Sequence, residues 1–80
     1  MTQDQLRQWL RRTPFIPFRV HISSGDSYAV SSPDWMMVTP RYTSIGVPGE
    51  SGDGDIIITI DNLHITHLVP TPVPANGERQ

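Results

Sequence analysis

Cysteine is absent from these 80 residues, and so is lysine. Without cysteine no disulfide can staple the fold, and no thiolate can attack a substrate or bind a metal. That composition fits a reducing compartment, so a cytoplasmic location is expected. Long apolar runs are also missing, which removes a transmembrane helix and the apolar core of a signal peptide, so no membrane partner is expected. Positive charge is scarce: six basic residues, all arginine, face eight acids, for a net charge of −2. Nucleic-acid modules are usually basic, and this balance argues against one. No serine stands in Gly-x-Ser-x-Gly, and no glycine loop ends in Gly-Lys-Ser/Thr, so neither a hydrolase elbow nor a phosphate cradle is written in the chain.

Eighty residues make one domain. A domain of this size buries only about 60–65% of the surface its unfolded chain exposes, so its stability margin is thin. With no disulfide available, oligomerisation is a reasonable supplement.

The segment Thr13-Pro14-Phe15-Ile16-Pro17-Phe18 divides the chain. Two prolines stop a helix and forbid a central strand, because each lacks an N–H and fixes φ. Before it, residues 2–12 read as a helix. Thr2 and Gln5 have capping-box spacing, Met1 and Leu6 that of a hydrophobic staple, and Leu6, Trp9 and Leu10 fall on one face. The four arginines Arg7, Arg11, Arg12 and Arg19 lie early, and the acids Glu50, Asp53, Asp55 and Asp61 lie late. An arginine cluster can clamp carboxylate or phosphate, but a solvated face with a helix-dipole role for Arg11 and Arg12 is the plainer reading.

After the junction the period changes to two. Phe18, Val20 and Ile22 alternate inward, Ser23 to Asp26 turn the chain, and Tyr28 and Val30 continue the inward face. Trp35-Met36-Met37-Val38 and Ile56-Ile57-Ile58-Thr59-Ile60 are apolar at consecutive positions, as in strands covered on both faces. Residues 43–47 and 63–69 supply further strands, and residues 48–54 a glycine-rich loop. The expected architecture is mainly β: a small antiparallel barrel of about five strands with one N-terminal helix, spanning residues 1–69. Residues 70–80, with Pro70, Pro72 and Pro74, are expected to be a disordered tail.

This layout resembles the Sm-like barrel. The chain also resembles a family of short, uncharacterised bacterial proteins with a Pro-Phe-x-Pro-Phe junction. The matching residues are Pro14, Phe15, Pro17, Phe18, Gly25, Asp26, Tyr28, Val30, Pro33, Asp34, Trp35, His64, Ile65 and Thr66. The likeness covers nearly all of the chain before Pro70. Ser32 departs from it, because members often carry a histidine before the Pro-acid pair. The resemblance implies a fold and a bacterial origin and carries no reaction.

His64 and His67 form a His-x-x-His pair. On a strand, positions three apart face opposite ways and do not share one metal without a bulge, although His21, Asp34 and Asp61 stand elsewhere as further donors. Ordinary strand histidines are the plainer reading, so no metal and no cofactor is expected. Glu50 to Asp55 do not match the spacing of a calcium loop. A barrel this small fills its interior with side chains, and no enzymatic activity is expected.

Two readings of function remain open. Apolar residues on second strand faces exceed what one short helix can cover, which points to protein–protein association, through self-assembly or an unidentified protein partner. Met36, Val38 and Ile57 are the candidate interface residues. Small barrels also bind RNA or DNA, and Arg41 beside Tyr42 is the one basic–aromatic pair placed for base stacking.

Overall fold

Thr2 starts the helix as its spacing predicts. Its Oγ1 accepts from Gln5 N at 3.2 Å, while Gln5 Oε1 accepts from Thr2 N at 3.0 Å, closing both arms of the capping box. The computed structural model describes residues 1–49 and 54–71, and its helix α1 runs Gln3–Leu10 with Arg11 as C-cap. The face read from sequence is the one that docks: Leu6 is fully buried, and Trp9 and Leu10 pack against the core. Beyond the helix, the proline junction lays Phe15 and Trp9 around Phe18. Phe15 stands 5.8 Å from the Phe18 ring centroid and Trp9 5.4 Å, the latter edge-on. The Arg12 guanidinium covers the Trp9 ring at 4.1 Å.

Among the described residues six strands follow, not about five: β1 (Phe18–Ile22), β2 (Ser27–Val30), β3 (Met36–Val38), β4 (Tyr42–Pro48), β5 (Asp55–Asp61) and β6 (Ile65–Pro70). Their ladders do not form one closed barrel. They make two antiparallel three-stranded sheets, ordered β2-β1-β6 and β3-β4-β5. The reason lies in the connections. Between β1 and β2 the chain makes a tight turn, with Gly25 at φ +99° and its N–H on Ile22 O at 3.0 Å. Between β2 and β3, and again between β5 and β6, it makes a 3-10 turn (Pro33–Trp35 and Asn62–His64). Each 3-10 turn is capped by the residue before it, Ser32 Oγ accepting from Asp34 N and Asp61 Oδ1 from Leu63 N. A 3-10 turn redirects the chain where a two-residue turn would have folded it back on itself, so at both places it crosses to the other sheet.

The core lies between the sheets under α1. Phe18, Val20, Val30, Ile65 and Leu68 come from the first sheet, Met36, Val38, Ile45 and Ile60 from the second, and Leu6 from the helix. Strand β6 runs through Pro70, one residue past the expected boundary, with Pro70 opposite Phe18. The remainder of the expected tail, residues 72–80, and the acidic part of the loop, residues 50–53, lie outside the described residues.

Among the described residues two polar ones are buried, Thr43 and Asn62. Asn62 Oδ1 accepts from Thr43 Oγ1 at 2.6 Å, its Nδ2 donates to Thr39 O at 3.0 Å, and its N–H donates to Arg41 O at 2.8 Å. Its own carbonyl accepts from Met1 N at 2.7 Å. One side chain thus ties the 3-10 turn to the β3–β4 connection and to β4. Asn62→Ala should cost about 3 kcal/mol, because it strands the Thr43 hydroxyl and the Thr39 carbonyl. Urea midpoints measure this. Pairing Asn62→Leu with Thr43→Val should cost less than the sum of the two single changes, since the pair then leaves no buried hydroxyl stranded.

Candidate interaction surface

The outward face of the second sheet is built by alternation. Across β3, β4 and β5 the register sets Met37 beside Ser44 and Ser44 beside Thr59, and, one step along, Gly46 beside Ile57. Trp35, delivered by the Ser32-capped 3-10 turn, lies over Gly46. A Cβ at position 46 would stand 2.7 Å from Trp35 Cε3, closer than real Cβ contacts, so only glycine lets the ring down onto the sheet. Trp35, Met37 and Ile57 then surround a shallow groove of about 380 Å³ with Asp34 on its rim. A second groove, of about 250 Å³, begins on the other side of the Trp35 ring and is rimmed by Asp55.

Met36 and Val38, expected on the interface, are turned the other way and belong to the core, only 6% and 7% exposed. The outward residue of β3 is Met37, at 66%. The cause is the 3-10 turn. It removes Trp35 from the strand and leaves Met36-Met37-Val38 to alternate buried, exposed, buried. Ser32-Pro33-Asp34 is a capping signal with proline in the first turn, and it was the available cue to that phase. Ile57 is outward as expected, 66% exposed.

Strand β5 carries a second unusual feature. Among the described residues it pairs with β4 alone, so its other edge presents free backbone N–H and C=O groups. Between Asp55 and Asp61 that edge has no charge and no proline. Ile56 belongs by alternation to the inner face, yet it is 51% exposed, because this end of β5 runs past the packed core. The strand is therefore apolar on both faces and open along one side. Natural edge strands are normally guarded by lysine, proline or a bulge.

Arg41 and Tyr42 sit on the far end of this sheet. The guanidinium lies 5.4 Å over the Tyr42 ring, and its Nε is 3.7 Å from Asp61 Oδ2. The cation is thus shared with a carboxylate, and one face of the ring is taken by its own neighbour. Both conditions weaken a stacking platform for a base.

The histidines separate. His64 leaves the last strand altogether: it closes the second 3-10 turn, with Nδ1 3.1 Å from Ser23 Oγ. Beside it a groove of about 470 Å³ opens between the sheets, lined by Tyr28, Ile58 and Ile60. His67 stays in β6, opposite His21 of β1. Among the described residues no three or more histidine, cysteine or acidic side chains come together to hold a metal ion, and no helix is long and apolar enough to cross a membrane.

Nothing matches this chain among family models, curated proteins or solved structures.

Proposed function

We propose that this chain is a non-catalytic, cytoplasmic adaptor domain that assembles with copies of itself through strand β5. The observation that carries the reading is the open side of β5, seven residues long, with Ile56 and Ile57 exposed and its only charges at the two ends. Pairing with the edge strand of another copy would satisfy the free backbone groups. It would also cover Ile56 and Ile57 with side chains of the added strand, joining main-chain hydrogen bonding to apolar burial, while Met37, two strands from that edge, stays outside the pairing. Edge pairing of this kind is isologous in a two-fold dimer and heterologous in a ring. The Sm-like reading belongs to the same proposal. It is supported by the helix-first order of elements and by the return of the last strand beside the first, with the two sheets as halves of an opened wall.

Light scattering on the purified chain at micromolar concentration tests the proposal. A mass of two or more whole monomers is expected. A strictly monomeric mass overturns it.

A further inference from the structure

His21 and His67 occupy facing positions on the outward side of the first sheet. Their rings are stacked, with centroids 4.5 Å apart and planes 5° from parallel. We propose that this pair is a two-imidazole site for a divalent late-transition-metal ion of the Zn²⁺, Ni²⁺ or Cu²⁺ class.

Three features of the site support this. The first is the protonation pattern. Thr66 Oγ1 stands 3.1 Å from His21 O and 2.8 Å from His67 Nδ1, and it satisfies both at once when it donates to the carbonyl and accepts from an Nδ1–H. In that tautomer of His67, Nε2 keeps its lone pair free. This is the arrangement by which protein ligands are commonly prepared for a metal: the outer-shell partner holds one ring nitrogen and aims the other.

The second feature is spacing. Two nitrogens each about 2.05 Å from a tetrahedral zinc lie about 3.3 Å apart. Rings with centroids 4.5 Å apart reach that separation by tilting about their terminal torsions, which are broad for histidine. The stack itself is not the bound geometry.

The third feature is charge. Arg19 is on the same face, two residues before His21, and would repel a cation. Its Nε, however, donates to Ser27 Oγ at 2.7 Å on β2, the neighbour on the side away from β6. Ser27 is itself the cross-strand partner of His21, so the guanidinium stays beside the site, on the side of His21 away from His67. The remaining coordination positions belong to water, so the site is an exchangeable surface chelate and not a structural zinc knot.

Zn²⁺ titration of the unmodified chain, followed by NMR of the three histidine rings, tests this. His21 and His67 should shift together on one saturating curve while His64, bonded to Ser23, stays in place at the same concentrations. His67→Ala should weaken binding about hundredfold, because the second ligand then no longer acts at high effective concentration. Thr66→Val, which keeps both imidazoles, should weaken it about tenfold. His21→Ala supplies the same comparison if His67→Ala fails to fold. A His64 response in step with the other two, or an unchanged Zn²⁺ affinity in both alanine variants, overturns the site.

Discussion

Phe18→Ala should leave little folded protein at room temperature. Phe18 is fully buried, pairs with both Val30 and Pro70, and meets two aromatic rings, Trp9 edge-on and Phe15 tilted. Removing a buried phenylalanine costs about 3–5 kcal/mol, part of it for the cavity left behind. A chain of this length holds roughly 4–12 kcal/mol in total. The cavity would open where the proline junction, α1 and both neighbours of β1 converge, so no single element can relax to fill it. Thermal and urea unfolding followed by circular dichroism measure the loss. Trp9→Ala should cost less, because Trp9 is only half-buried and Arg12 lies on its solvent side. A near-native urea midpoint for Phe18→Ala would mean that the junction does not organise the core.

Ile57→Lys should have the opposite signature: a folded chain that no longer assembles. Ile57 is exposed and stands over a backbone position that carries no side chain, Gly46. An exposed substitution of that kind changes stability by about half a kcal/mol or less. In an assembled edge, the same lysine must bury an ammonium group without a partner or push the strands apart. A cost of about 3 kcal/mol per contact would weaken association more than hundredfold. Lysine on a strand edge is also the device by which natural sheets prevent such pairing. Light scattering beside circular dichroism separates the outcomes. An unfolded variant would place Ile57 in the core, and an unchanged oligomer would place the interface elsewhere.

Much of the fold is legible from short-range chemistry. The capping box, the Leu6–Trp9–Leu10 face, the Phe18–Val20–Ile22 alternation and the glycine turn each depend on neighbours within a few residues, and each is found as read. Sheet membership was not legible, because it is decided at the two 3-10 turns by backbone direction, which side-chain period does not encode. The same turns explain the interface residues. A shift of one position at Trp35 exchanges the faces of everything up to Val38, so Met36 and Val38 went inward and Met37 outward. The burial of Asn62 has no local signal, since its partners Thr39 and Thr43 come from a distant stretch of chain. The facing of His21 and His67 depends on a long-range register that no local pattern announces.

That register also has a consequence in time. Strands β3, β4 and β5 follow one another directly, and their sheet can form as soon as those residues exist. The other sheet is different, since β1 cannot acquire its second neighbour until β6 has been made. During synthesis, which proceeds from the N-terminus, the first strand must wait for the last while β5 is already displaying its isoleucines. The chain therefore passes through a stage in which its stickiest strand is complete before its first sheet is closed.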